Sequence, residues 1–266
     1  MPLYDWQIAC LGRAAALAAL FVVSPAILDV SSSAKAAEIK ALSPAAMKSV
    51  MSELIPQFEK RSGYKVNIEY GTVGAIIARL KTGDAIDVAI VTDKQLPNLT
   101  KQGLISAEGQ AVVAKVGLGV FVRKGEPKPA ISSVDDLKKA LLAAKSIVYG
   151  DPKLGDSSGL ATEAILEHLG IAAEVKPKAK LVAAGAKGET VVKGEADLGF
   201  DQMSNIVINP KIAALGSLPS TLQHYTNYAG GLVAAGKDRD GAKAFIAFLT
   251  SPSAQTVMKS KGFEGL

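Results

Sequence analysis

The sequence predicts an α/β protein of two lobes, each a mostly parallel sheet flanked by helices, joined by two crossover strands. Three observations lead there. Apolar β-like runs alternate with helical patterns through most of the 266 residues, which is the rhythm of sheets covered by helices. The alternation comes as two series with a long β-rich stretch, 112–122, between them. A second β-like segment near 228–235 then offers a return path. The expected division is 37–119 plus 230–266 for lobe 1 and 120–229 for lobe 2.

The elements follow in order. Residues 39–42 read as a short strand, and Met47, Val50, Met51, Leu54, Ile55 and Phe58 then repeat at the helical period until Gly63. Residues 65–70 alternate as a second strand, 75–81 form a helix ending at Gly83, and 87–91 form a third strand. After the segment 125–130, with its prolines, a Ser-capped helix covers 134–144, and 146–149 opens the second series. A helix at 160–169 ends at Gly170; further βα elements cover 180–193 and 196–200. Helices at 241–250 and after Pro252 close the chain.

The N-terminus reads as an export signal. Arg13 precedes an apolar run from 14 to 28, and Ala34 and Ala36 occupy the −3 and −1 positions of a cleavage site, so residues 1–36 are expected to be removed. Pro25 and Asp29 interrupt that run before it reaches the roughly 20 apolar residues of a membrane span. The single cysteine, Cys10, lies inside the removed part, so the mature chain is expected to rely on packing alone, without disulfides.

Composition narrows the function classes. The net charge is +5, but the lysines are scattered singly and aromatic residues make up only 5%, so neither a basic face nor a stacking platform for nucleic acid is evident. His168 and His224 are the only histidines, too few to build a metal set without cysteine, and no metal or other cofactor is expected. No GxGxxG or GxxxxGK[ST] motif occurs, so nucleotide binding lacks its usual phosphate loop. Asp87 reads as a structural residue at a strand start, Arg79 as a solvated arginine, and Tyr225 and Tyr228 as hinge packing.

The informative feature is a set of four strand-to-helix junctions made of small residues: Leu42-Ser43-Pro44, Gly71-Thr72-Val73-Gly74, Gly155-Asp156-Ser157-Ser158-Gly159, and Ala183-Ala184-Gly185-Ala186-Lys187-Gly188. Ser43 fits a helix N-cap and Pro44 the first helical position. Helix N-termini carry unpaired N–H groups and the positive end of the helix dipole, so four that converge between two lobes would hold an anion without a dedicated countercharge.

These junctions, with Lys81-Thr82-Gly83-Asp84-Ala85-Ile86-Asp87-Val88, Gly150-Asp151-Pro152, Gly194-Glu195-Ala196-Asp197-Leu198-Gly199 and the terminal Ala247-Phe248-Leu249-Thr250-Ser251-Pro252, resemble the type II periplasmic solute-binding proteins, in their molybdate-binding-protein-like branch. The resemblance covers essentially the whole mature chain. It implies a periplasmic, monomeric protein whose lobes close over a small anionic ligand, an oxyanion or carboxylate, and which then docks on the permease of an ABC transporter. Position by position it implies ligand contacts at Ser43, at Thr72, Val73 and Gly74, at Ser157 and Ser158, at Gly185 and Ala186, and at Gln202. Val73 and Gln202 stand where the branch carries a serine and a tyrosine, which turns the expected ligand from molybdate itself toward a broader set of anions, carboxylates included.

The branch also resembles an enzyme, the periplasmic aconitate isomerases, through Ser157-Ser158-Gly159 and Gln202-Met203-Ser204. A binding protein without catalytic residues is the first reading, and an isomerase moving the double bond of aconitate is the alternative. That chemistry needs a base and an acid, for which Asp156, Glu189 and Asp201 are the candidates in the cleft.

Overall fold

The computed structural model describes residues 37–266. The export signal and Cys10 lie outside them. In chain order the elements are β1 (Glu38–Pro44), α1 (Lys48–Ser62), β2 (Lys65–Gly71), α2 (Val73–Leu80), β3 (Val88–Thr92), α3 (Leu96–Lys101) and β4 (Ala111–Arg123). The second series is α4 (Val134–Ala143), β5 (Ile147–Gly150), α5 (Ser157–His168), α6 (Ala172–Val175), β6 (Ala179–Val182), α7 (Lys187–Val192), β7 (Leu198–Gln202), α8 (Met203–Ile206) and β8 (Ile212–Ser217). The chain returns through β9 (Tyr225–Leu232) and ends with α9 (Arg239–Leu249) and α10 (Pro252–Ser260).

Two large apolar cores and a smaller one around Phe121, Val148 and Val191 result. The first draws on residues between Ile39 and Val116 and again on Tyr228 to Phe263, and includes Val50, Met51, Leu54 and Phe58 of α1. The second is built from residues between Leu118 and Leu222. One strand serves both. The N-terminal half of β4 pairs antiparallel with β9, and from Leu118 onward it pairs antiparallel with β7 and β8. The resulting path is β2-β1-β3-β9-β4-β7-β5-β6, with β8 on the other flank of β4.

The sheets are mixed rather than mostly parallel. β1 runs parallel to β2 and β3, and β5 runs parallel to β6 and β7, but every pairing of β4 and β9 is antiparallel. The reason is topological: a strand that leaves one sheet for the other, and one that comes back, need no βα crossover and so escape the parallel rule. The return differs from the expectation as well. The chain crosses within 218–224, where the Leu118 N–H donates to the His224 carbonyl, and β9 already belongs to the first sheet.

Local rules account for most helix starts. Ser133 caps α4 by accepting from the Asp136 N–H at 3.1 Å, Asp238 caps α9 and Ser251 caps α10, with Pro252 in the first turn. Asp87 is structural, as its position implied: its carboxylate accepts the N–H groups of Lys40, Lys237 and Asp238 and ties β1 to the loop before α9. Among the described residues no helix is long and apolar enough to cross a membrane.

Candidate functional site

The helices α2 and α5 start on opposite sides of the same cavity. Thr72 caps α2, its hydroxyl accepting from the Ala75 N–H at 3.0 Å. Asp156 caps α5, its Oδ1 accepting from the Gly159 N–H at 2.9 Å. The cavity between them is lined by Ala45, Ala46, Thr72, Val73, Ser157, Ser158, Gly185, Lys187, Asp201, Gln202, Asn205 and Tyr228, among others. It measures about 20 Å³, a little more than the roughly 10–15 Å³ that a single water needs. The lobes are closed.

Closure is made by direct contacts. The Thr72 hydroxyl donates to the Leu154 carbonyl, the Gly74 N–H reaches the Gly155 carbonyl at 3.4 Å, and the Ser204 hydroxyl donates to the Ala46 carbonyl at 3.1 Å. Gly74 and Gly155 approach with no room for a side chain: a Cβ on Gly155 would fall 2.5 Å from the Gly74 Cα. Gly155 also has φ +69°, a conformation that favours glycine.

The predicted positions separate into groups. Thr72, Val73, Ser157, Ser158, Gly185 and Gln202 line the cavity. Gly74 is one step removed, at the closing contact, and Ala186 is the residue before α7. Ser43 is a correction. It lies inside β1 opposite Tyr70, fully buried, with its hydroxyl 3.5 Å from the Pro44 carbonyl, and caps nothing. Pro44 is likewise the last residue of β1, with ψ at 143°, and the helical path begins with a 3₁₀ turn at Ala45–Met47. The register with Gly71 holds Pro44 in the sheet, and this corner of the cavity is lined by Pro44, Ala45 and Ala46 and not by Ser43.

Beneath the cavity is a charged cluster that the sequence did not announce. Lys187, 2% exposed, donates to Asp156 Oδ2 at 3.1 Å and to Ser158 Oγ at 2.9 Å, and forms an ion pair with Asp201 Oδ1 at 3.0 Å. Ser158 in turn donates to Asp156 Oδ1 at 2.6 Å, so its hydroxyl supports the cluster. The cluster places a cation beside the cavity, but Lys187 already faces two carboxylates. Burial works to raise the Asp156 pKa, but Lys187 and the hydrogen bonds from Ser158 and Gly159 hold it below the usual value. Burial pushes Asp201 up, against the pull of Lys187 and Asn205. Lys187 is held above the ordinary lysine value because Asp201 and Asp156 outweigh its own burial.

A second chain of polar contacts runs toward β9. Gln202 Nε2 donates to Thr226 Oγ1 at 3.0 Å and to Ser157 Oγ at 3.4 Å, and Ser157 Oγ meets the Tyr228 hydroxyl at 3.2 Å. Tyr228 thus lines the cavity from the first core, where the sequence suggested hinge packing only. Burial pushes its pKa well above that of an ordinary tyrosine. Tyr225 is half-exposed, with the Lys115 ammonium 4.3 Å from its ring centre. One signal could have found Lys187: it opens α7, where a cation meets the positive end of the helix dipole and needs an acidic partner. Among the described residues no group of three or more His, Cys, Asp or Glu is arranged to hold a metal.

Residues 39–264 match the model of the bacterial extracellular solute-binding protein family. Over 255 residues the chain is 28% identical to an aconitate isomerase of Pseudomonas sp, covering 94% of this chain and 95% of that one. Over 239 residues it is also 28% identical to a molybdate-binding protein of Azotobacter vinelandii, covering 86% and 91%. The solved structure of an Azotobacter vinelandii periplasmic molybdate-binding protein superposes with a TM-score of 0.70 at 20% identity, over 85% of this chain and 98% of that one, a likeness of fold.

Proposed function

The chain belongs to the family of bacterial extracellular solute-binding proteins, and on that premise we propose that it captures a small oxyanion between two closing lobes in the periplasm and delivers it to an ABC transporter. The observation that carries this reading is that two helix N-termini, α2 and α5, front one small cavity of about 20 Å³, a setting that suits an anion and is too small in this closed form for a six-carbon acid. The molybdate-binding relative supports the same ligand class. In this reading the two lobes, each with its own apolar core, are hinged on β4 and on 218–224, with β9 on the side of the first. The protein works as an exported monomer whose residues 1–36 are removed.

A thermal-shift series with sulfate, phosphate, molybdate, tungstate, citrate and both aconitates tests it. One compact oxyanion should raise the melting temperature in proportion to the logarithm of its concentration. A response to the organic acids alone would sink the oxyanion reading.

A second reading rests on one observation: Asp156 and Asp201 share Lys187, and their pKa values are driven in opposite directions. Such a pair separates a proton acceptor from a proton donor, the two roles that shifting a double bond beside a carboxylate requires. With the aconitate isomerase relative, this supports an isomerase of the aconitate type acting in a more open form of the cleft. Incubation of the pure protein with cis-aconitate, followed by chromatography for the trans isomer, decides between the two; absence of turnover removes the enzyme.

A further inference from the structure

The cavity that would hold an anion is itself lined by excess negative charge. Its only charged side chains among the described residues are Asp156, Lys187 and Asp201, two carboxylates against one ammonium, and all three are buried. When all are ionised, one negative charge is left over, and an oxyanion beside it adds more where water screens little. The N-termini of α2 and α5 supply roughly half an elementary charge each, which the surplus carboxylate alone would offset.

The imbalance falls on Asp201. Asp156 has both oxygens occupied: Oδ1 accepts from Ser158 and from the Gly159 N–H, and Oδ2 from Lys187. In Asp201 every contact falls on one oxygen. Its Oδ1 accepts from the Gln202 N–H at 2.8 Å and from Asn205 Nδ2 at 3.0 Å, and pairs with Lys187 at 3.0 Å, while Oδ2 accepts nothing from the described residues. An unpartnered oxygen on a buried carboxylate is the natural seat for a proton, and a protonated carboxyl can donate.

The surroundings favour the same state. Lys187 of α7 is the only cation facing Asp201; the other groups are Asp156 before α5, Asn205 of α8 and Tyr228 of β9, and β4 places Gly119 opposite it in the sheet. Burial holds the Tyr228 hydroxyl in its neutral form. Burial and Asp156 both push Asp201 toward its neutral form, against Lys187 and Asn205.

Building on the oxyanion reading, we propose that the anion binds together with one proton, carried on Asp201 Oδ2, which turns that carboxylate into a hydrogen-bond donor to the ligand. The proton comes from water and returns to it on release. Protonation leaves Asp156 and Lys187 as a balanced pair, so the helix N-termini act on the anion alone. The complex holds one proton more than the free protein, so capture tightens as pH falls and loosens as pH rises.

The test is calorimetric titration of the full mature protein with sulfate, molybdate and tungstate at steps from about pH 6 to about pH 9. All three anions are unprotonated there, so the proton is not theirs. Affinity should fall as pH rises, approaching about tenfold per pH unit, and buffers of different ionisation enthalpy should reveal uptake of up to one proton per anion. Asp201→Asn is neutral throughout and can donate through its amide. In that variant the slope should vanish, and binding at the alkaline end should exceed that of wild type, with circular dichroism confirming the fold. A flat wild-type profile overturns the proposal and leaves the oxyanion reading intact. A slope that survives in Asp201→Asn overturns it too, since the proton then sits on another group. Failure of all three anions to bind also overturns it, and the thermal-shift series with phosphate then decides the oxyanion reading separately. The wild-type profile stands on its own if the variant does not fold.

Discussion

Gly74, in the first turn of α2, and Gly155, in the loop before α5, touch backbone to backbone: a Cβ on Gly74 would lie 2.6 Å from the Leu154 carbonyl oxygen and 2.9 Å from the Gly155 Cα. The two come from opposite sides of the cavity, and the contact exists only when the lobes are shut. Gly74 sits in a helix, where alanine is intrinsically favoured over glycine by about 0.5–1 kcal/mol. Gly74→Ala should therefore leave the unliganded melting temperature unchanged or slightly raised. Closure should suffer, with ligand affinity falling about tenfold, close to 1.4 kcal/mol. Titration of the variant beside the wild type checks this, and equal affinities would mean that Gly74 plays no part in closing the site.

Lys187 neutralises a cluster that would otherwise hold two buried carboxylates alone. Removing one partner of a buried ion pair costs about 3–5 kcal/mol. Lys187→Met should lower the urea midpoint accordingly at neutral pH. Adding Asp156→Asn and Asp201→Asn to the same chain should recover much of the loss, which chemical denaturation of the two variants measures.

The two aspartates titrate with opposite sign. Asp156 is lowered below 3.8, so its contribution is present above that value and fades as pH falls through its folded pKa. Asp201 is raised above 3.8, so its ionised form weakens the fold, and stability is regained as pH falls through the raised folded pKa toward 3.8. Lys187, raised above 10.5, contributes fully below that value and is lost as pH climbs past its folded pKa. Asp201→Asn should flatten the gain on mild acidification and leave the alkaline loss in place. Denaturation midpoints across the pH range provide the comparison, and an acid limb identical to wild type would contradict the assignment.

Gly159, third in α5, packs against the carbonyl of Gly150 in β5, where an added Cβ would come within 1.9 Å. Neither backbone can yield without pulling the helix off its strand. Gly159→Ala should destabilise the protein by about 1–3 kcal/mol or more, as overpacking does. A melting temperature matching wild type would show that α5 shifts freely.

Periodicity and caps made much of this fold legible. The Met47–Phe58 pattern gave α1, Ser133 the start of α4, and the stretch 112–122 gave the long strand β4. The strand β8, Ile212–Ser217, was not legible, since its Ile-Ala-Ala-Leu-Gly-Ser sequence has little β-branched character and owes its state to pairing with β4. At the site, the glycine and serine junctions pointed to Thr72 and Ser157, because turns and caps are written in local residue types, while Gln202 came only from the family resemblance. Ser43 misled because its cap chemistry was outweighed by the register of β1 with β2. Lys187 and Tyr228 join the cavity through long-range packing, which no local pattern encodes.

The first core is discontinuous: it needs Ile39 to Val116, and also Tyr228, Phe245, Leu249 and Met258 near the chain's end. The second core is one uninterrupted stretch. A chain emerging N-terminus first can thus complete the second core while the first still waits for α9 and α10. The first core cannot lock into its final form until nearly every residue has been delivered, which makes assembly of the whole dependent on arrival of the last two helices.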